Sequence, residues 1–250
     1  MKQDLSDCYL WESNIALLGN LGEQQNMKDS DTKKISAAVV KRLPIYRRHL
    51  KDLMDAGIYR ISSKELSLRM KTTSSQIRQD LNQFGTFGQQ GYGYNVRYLY
   101  DEICGILGLK EKHNTIIIGT SATIRALISK HNLLGRESFP VVGVFDTNRV
   151  NIGEKLDGYV INDLKDLKEL LKETNVDIAI VELSKNEVKS VINELIENGI
   201  KEILNISDTD LRYSPDIHIE NINLSDALLR LSFHSSARKR EENIGSYDGE

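Results

Sequence analysis

The chain has 250 residues, 40% hydrophobic and 28% charged, enough for one large domain or two ordinary ones with proper cores. No apolar run approaches the roughly 20 residues of a membrane span. The acids in "MKQDLSDCYLWESN" also interrupt any signal-peptide core, so a membrane-embedded or exported protein is not expected. Cys8 and Cys104 are too few for a disulfide framework or a thiolate metal site, and the five histidines show no metal-ligand spacing. A reducing cytoplasm and no metal are therefore expected.

Net charge is −3, but it is unevenly spread. Ile35 to Tyr100 holds 11 Lys/Arg against 4 Asp/Glu, a local +7, so the remainder carries −10. That asymmetry is expected of a basic module that binds a polyanion, joined to an acidic module with another task.

In chain order, residues 1–34 are polar and weakly patterned and read as a flexible extension. In "ISAAVVKRLPIYRRHLKDLMDAG", Pro44 suits a first helical turn, Tyr46, Leu50, Leu53 and Met54 recur at helical spacing, and Gly57 ends the helix. In "RISSKELSLRM" Ser62 and Glu65 have capping-box spacing ahead of a short helix through Leu66 and Met70. Thr73 and Gln76 repeat that spacing before a third helix lined by Ile77, Leu81 and Phe84. This is a helix-turn-helix whose last helix is expected to expose Ser74, Ser75, Arg78, Gln79, Asn82 and Gln83. Next, "FGTFGQQGYGYNVRYL" suits a β-hairpin with Gln89 and Gln90 at its tip. A hairpin in that place is the wing of a winged helix, and Tyr92 and Tyr94 read as packing residues.

A helix fits the major groove of duplex DNA, where Arg, Asn and Gln can hydrogen-bond base edges. The flank of Lys41, Arg42, Arg47, Arg48, Lys64, Arg69 and Lys71 can neutralise phosphates. A small helical domain with an ordinary solvated face is the competing reading; the local charge and the hairpin favour DNA. The DNA-binding set is Arg47, Arg48, Lys64, Ser74, Ser75, Gln76, Arg78, Gln79, Asn82, Gln89 and Gln90.

From residue 114 the rhythm becomes strand, helix, strand. Strands are expected at 115–118, 141–145, 177–181, 202–206 and 217–222, with helices over 121–131, 163–173, 185–198 and from Ser225. The tail "ARKREENIGSYDGE" reads as charged and frayed. Such alternation implies a doubly wound parallel sheet that binds ligands beyond the carboxyl ends of its strands. The first turn, "NTIIIGTSATIRALISK", resembles a dinucleotide fingerprint G-x-G-x-x-G that has kept one glycine. Gly119 can make the tight turn, but Ser121 and Ile124 replace the glycines for ligand approach and helix packing. The helix N-terminus offers N–H groups and its dipole, and Thr120, Ser121 and Thr123 add hydroxyls. Arg125 adds a charge. Asp146, 27 residues past Gly119, stands where an acid would bind ribose hydroxyls, although an acid after a strand is also an ordinary turn residue. The candidate cofactor set is Gly119, Thr120, Ser121, Ala122, Thr123 and Asp146, and these residues alone leave dinucleotide binding open. No catalytic constellation is visible, so an enzyme is not expected.

Taken together, "AVVKRLPIYRRHLKDL", "RISSKELS", "SSQIRQDLNQFGTFGQQGYGYNV", "VFDTNRVNIGEKLDG" and "NGIKEILNI" closely resemble the Rex family of redox-sensing transcriptional repressors over residues 35–232. The resemblance implies an α/β homodimer: a winged-helix domain over 35–110, a Rossmann-like domain over 111–224, and a C-terminal helix and tail over 225–250, the helix swapped between subunits. It implies an inverted-repeat, double-stranded DNA operator as partner and NAD(H) as effector, with NADH closing the dimer and releasing the operator. Ser74 to Gln83 would then read the major groove, with Gln89–Gln90 near the minor groove. The departures gather at the cofactor end. The loop reads "GTSATI" where the family has G-x-G-N-x-G, Lys130 replaces a tyrosine, Asn223 replaces an acid, and "VELSKN" stands at a threonine-valine-proline-like turn. Two readings follow: a repressor that answers the NADH/NAD⁺ balance, and a DNA-binding paralogue with lost or altered dinucleotide sensing. A dehydrogenase would need a substrate site that is not visible. Val191, Leu195, Leu228, Leu229, Leu231 and Phe233 are candidates for an apolar face shared between subunits, although a monomer's core explains them almost as well.

Overall fold

The computed structural model describes residues 35–84, 88–89, 93–134 and 138–245. The extension over 1–34, the hairpin tip at Gln90 and the last five residues lie outside them. The chain divides into two compact units between Leu99 and Tyr100.

The first unit begins with α1 (Ala37–Val40) and α2 (Leu43–Asp55), the latter with Pro44 in its first turn. Leu43, Tyr46, Leu50 and Leu53 recur every three or four residues and are fully buried, the spacing that puts side chains on one helical face. After the short strand β1 (Arg60–Ile61), α3 (Ser63–Met70) opens with the expected capping box. Ser62 Oγ accepts from the Glu65 N–H at 3.1 Å, and Glu65 Oε2 accepts from the Ser62 N–H at 2.9 Å. The next helix, α4 (Ser74–Leu81), forms only half of its expected box. Thr73 Oγ1 accepts from the Gln76 N–H, but the Gln76 side chain turns away to Asp80. Ile77 and Leu81 are buried; Phe84 lies past the helix end in a turn and is half-buried.

The wing forms. β2 (Gly88–Gln89) pairs with β3 (Gly93–Asn95), and β3 also pairs with β1, giving a three-stranded antiparallel sheet rather than a lone hairpin. Gly93 is obligatory there. Its φ is +71°, and a Cβ would stand 2.7 Å from the Ile61 carbonyl oxygen. Tyr94 is half-buried, and burial raises its phenol above the ordinary range. Directly after β3, α5 (Val96–Ile106) carries the chain into the second unit.

The second unit has β4 (Thr115–Gly119), α6 (Ser121–Leu134), β5 (Val141–Asp146), β6 (Lys155–Leu156), β7 (Tyr159–Asp163) and α7 (Leu167–Glu173). It continues with β8 (Ile178–Glu182), α8 (Lys185–Glu197), β9 (Glu202–Asn205), β10 (His218–Asn221) and α9 (Leu224–Gly245). The strands form one sheet in the order β10-β9-β8-β4-β5-β7-β6, parallel except for β6. All five expected strands are present within a residue or two at each end. The hairpin β6–β7 is an addition. Asp157 and Gly158 turn it with φ of +46° and +92°, the two left-handed residues of a type I′ turn.

Strand alternation sends side chains to two cores. Ile116, Ile118, Phe145, Ala179, Val181 and Ile203 face Leu167 of α7 and Val188, Val191, Ile192 and Leu195 of α8. Ile117, Val144, Ile161 and Ile180 face Ile124 and Ile128 of α6. Val191 and Leu195 therefore belong to the chain's own core, whereas Leu228, Leu229, Leu231 and Phe233 on α9 are exposed, at 60–70%. Within the described residues the expected frayed tail is helical. α9 runs on through Gly245, over a stretch rich in Arg, Lys and Glu, all strong helix formers.

Candidate nucleic-acid interface and dinucleotide crevice

The outward side of α4 carries Ser75, Arg78, Gln79 and Asn82, all exposed, and Ser74, half-buried. Ser75 Oγ lies 3.0 Å from Thr73 Oγ1, Ser74 Oγ 3.2 Å from Ser67 Oγ, and Arg78 Nη1 donates to Ser63 Oγ at 3.1 Å. These contacts tie the polar side chains to the turn before α4 and to α3, restricting the rotamers from which they could meet a base. Arg48 and Lys64 are exposed and Arg47 is half-buried. Gln89 enters through its backbone pairing with Gly93; Gln90 lies outside the described residues.

Two residues expected to face DNA are instead engaged within the unit. Gln76 is half-buried, and its Nε2 donates to Asp80 Oδ1 at 2.7 Å. Gln83 Oε1 accepts from the Ser36 N–H at 3.3 Å. Arg42 likewise leaves the phosphate-facing flank: its Nε and Nη2 each reach an Asp80 oxygen at 2.7 Å. Tyr46 Oη donates to the same carboxylate at 2.9 Å. Asp80, fully buried, is thus the anchor of α4 on α2, and the sequence reading passed over it. Burial by itself would raise its carboxyl. The hydrogen bonds from Arg42, Gln76 and Tyr46, with Arg42's charge, hold it below the ordinary carboxylate range. Burial and the bond to Asp80 push the Tyr46 phenol far up. The Gln76–Asp80 spacing, i to i+4, was the one available clue.

In the second unit the chain crosses from β7 back over β4 to reach β8. β4 and β8 therefore flank the point where strand order reverses, which is where ligands bind in such sheets. Gly119 ends β4 in register with Glu182 of β8. It is buried, and a Cβ there would stand 3.0 Å from the Glu182 carbonyl oxygen. A side chain at the first fingerprint position would therefore crowd the neighbouring strand's backbone. Ile124, at the third position, is fully buried among Ile117, Ile128 and Val144, so the helix meets the sheet through a core side chain instead of a glycine.

Around the loop, Thr120 is exposed and its Oγ1 lies 3.2 Å from both Thr123 Oγ1 and Glu182 Oε2. The Thr120 N–H also points at Glu182 Oε2, at 3.4 Å. Ala122 is exposed and Ser121 starts α6. Arg125 pairs with Glu154, so its charge is answered away from the loop. Asp146 ends β5, one residue beyond the Ile118–Phe145 pair, and is almost fully buried. Its Oδ1 accepts from the Asn148 N–H and its Oδ2 from Asn151 Nδ2, both at 2.8 Å. It therefore fastens the turn that follows, with one lone pair on each oxygen left over. Asn223 Oδ1 accepts from the Ser225 and Asp226 N–H groups and caps α9. A glycine where a side chain would be crowded, a helix N-terminus and an acid one strand away fit a dinucleotide; the carboxylate of Glu182 beside Thr120 is the element out of keeping. Among the described residues no helix is long and apolar enough to cross a membrane, and no cluster of His, Cys, Asp or Glu could hold a metal.

Comparison with known proteins bears on both units. Residues 34–82 match a family model described as a putative DNA-binding protein N-terminus, and residues 110–209 match a CoA binding domain model. A redox-sensing transcriptional repressor Rex of Clostridium perfringens is 47% identical over 201 residues, covering 80% of this chain and 94% of the relative. The Rex of Caldanaerobacter subterraneus is 43% identical over 199 residues, or 80% and 88% of the two chains. Among solved structures, RSP in complex with β-NAD⁺ and operator DNA superposes with a TM-score of 0.77 at 38% identity, covering 85% of this chain and 97% of that one. RSP in complex with β-NADH gives 0.75 at 36%, covering 84% and 98%. With a winged helix, a doubly wound sheet and likeness of this extent, the chain belongs to the Rex family of redox-sensing transcriptional repressors.

Proposed function

We propose that this protein is a transcriptional repressor that binds an inverted-repeat operator as a homodimer and releases it as the NADH/NAD⁺ balance rises. The observation that carries this reading is the clamp on α4. A carboxylate buried under four donated hydrogen bonds holds the helix rigidly and leaves Ser75, Arg78, Gln79 and Asn82 facing out. A relative of 38% identity is known in complex with operator DNA and β-NAD⁺. Arg78, Gln79 and Asn82 would read bases, Ser74 and Ser75 would position the helix, and Arg47, Arg48 and Lys64 would meet phosphates. Gln76 contributes indirectly, through Asp80. Gln89 and Gln90 would bring the wing to the neighbouring groove.

NAD(H) is the effector. Gly119, Thr120, Ser121, Ala122 and Thr123 would receive its diphosphate at the α6 N-terminus, and Asp146 its ribose through the free lone pairs. The exposed apolar residues of α9 support the dimer: Leu224, Leu228 and Leu231 lie along one side of the helix and Leu229 and Phe233 along the other, more apolar surface than a lone helix leaves in water. It fits exchange of this helix between subunits. The chemistry is regulatory rather than catalytic.

The test is anisotropy titration of an operator duplex selected by the protein itself from a random library. Specific binding with NAD⁺ that weakens at least tenfold with NADH is expected. Absence of any selected palindrome, or indifference to NADH, refutes the reading.

A further inference from the structure

We propose that Glu182 is a resident anion in the phosphate cradle and sets the dinucleotide concentration at which the protein responds. The inference rests on the NADH reading above and assigns a specificity-determining residue to that site.

The carboxylate is not splayed into solvent. Its Oε2 lies 3.5 Å from where a Gly119 Cβ would be, so it folds back over the glycine at the end of β4. It accepts from the Thr120 N–H at 3.4 Å and from Thr120 Oγ1 at 3.2 Å. That N–H immediately precedes the first residue of α6, where unpaired amides and the helix dipole favour negative charge. A dinucleotide's diphosphate seeks the same donors. Two anions cannot share them, so Glu182 must swing away or repel the ligand. Both contacts are long for hydrogen bonds, so displacement is possible at a cost in affinity. The carboxylate thereby raises the ligand concentration needed to fill the crevice.

The experiment compares the full-length protein with Glu182→Gln, which keeps size and loses charge, and with Glu182→Ala, which empties the position. Calorimetric titration with NADH should show binding about tenfold tighter in both variants, the order expected when a like charge a few ångströms away is removed from a partly solvated site. By linkage, the NADH concentration that releases operator should fall by the same factor. ADP, which carries the diphosphate, should gain likewise, while adenosine should not. Thermal melting of each variant confirms folding, and either folded variant suffices. Unchanged or weaker NADH binding in a folded variant overturns the role of Glu182 and leaves the effector reading standing. Measurable binding by the variants alone supports the role in its strongest form. No binding by any of the three proteins overturns both.

Discussion

Replacing Asp80 with alanine removes the acceptor of four hydrogen bonds, two from Arg42, one from Tyr46 and one from Gln76. The Asp80 side chain is fully buried, whereas Arg42 is 31% exposed, so the two partners are not affected equally. Breaking a fully buried ion pair costs about 3–5 kcal/mol. Arg42 regains water once released, which moves the loss towards the lower end. Tyr46 is fully buried and keeps an unsatisfied hydroxyl worth about 1–3 kcal/mol. A loss of about 3 kcal/mol from the first unit follows. Asp80→Asn, which retains acceptor capacity for Tyr46 and Arg42 but not the charge, should lose about half as much. Urea unfolding followed by circular dichroism gives the magnitude, and amide hydrogen exchange over residues 74–81 gives the location. Exchange there should quicken, operator affinity should drop, and NADH binding should stay unchanged. The pH dependence has a definite sign. Asp80 is held below its unfolded value near ~3.9. Its stabilisation is therefore complete above that pH and is lost as acid carries the pH down through the folded value. Asp80→Asn should flatten the acid limb. An alanine variant with the wild-type midpoint and slow exchange would show that Ile77 and Leu81 alone seat the helix, and the clamp would lose its meaning.

Other outcomes follow from single side chains. Arg78→Ala should weaken operator binding by about 1–3 kcal/mol if it meets a base, without moving the melting temperature; unaltered affinity removes it from the readers. Gly93→Ala sets a Cβ 2.7 Å from the Ile61 carbonyl oxygen at a φ of +71°, and should lower first-unit stability by about 1–3 kcal/mol, read as a shifted urea midpoint. Charging the exposed stripe with Leu228→Glu and Leu231→Glu should turn a dimer mass into a monomer mass in light scattering, with operator affinity falling alongside. Persistence of the dimer would place its interface elsewhere.

Much of the architecture could be read along the chain because its causes are local. Ser62 and Glu65 are three residues apart, and Leu43, Tyr46, Leu50 and Leu53 keep helical spacing, so α2 and α3 declare themselves. The β-branched run at Ile116–Ile118 marks a strand buried on both faces. The Asp157–Gly158 pair is likewise a local turn signal, and it joins β6 to β7. The two helices near the end were harder. Val191 and Leu195 look in sequence like Leu228 and Leu231, since a stripe is the same whether its own sheet or a second copy covers it. Only the packing of α8 on the sheet separates them.

At the sites, the local sequence settled which residues are polar, basic or glycine and on which element they lie. Whether each faces out or in was decided by partners far along the chain. Arg42 looked like a DNA contact until Asp80, 38 residues away, drew it inward. Thr120 looked like a phosphate ligand until the pairing of β4 with β8 brought in Glu182, 62 residues away. Hydrogen bonds within a turn of helix are set by covalent spacing and can be read directly. A charge delivered by a neighbouring strand depends on sheet order, and sheet order is fixed only when the whole core closes.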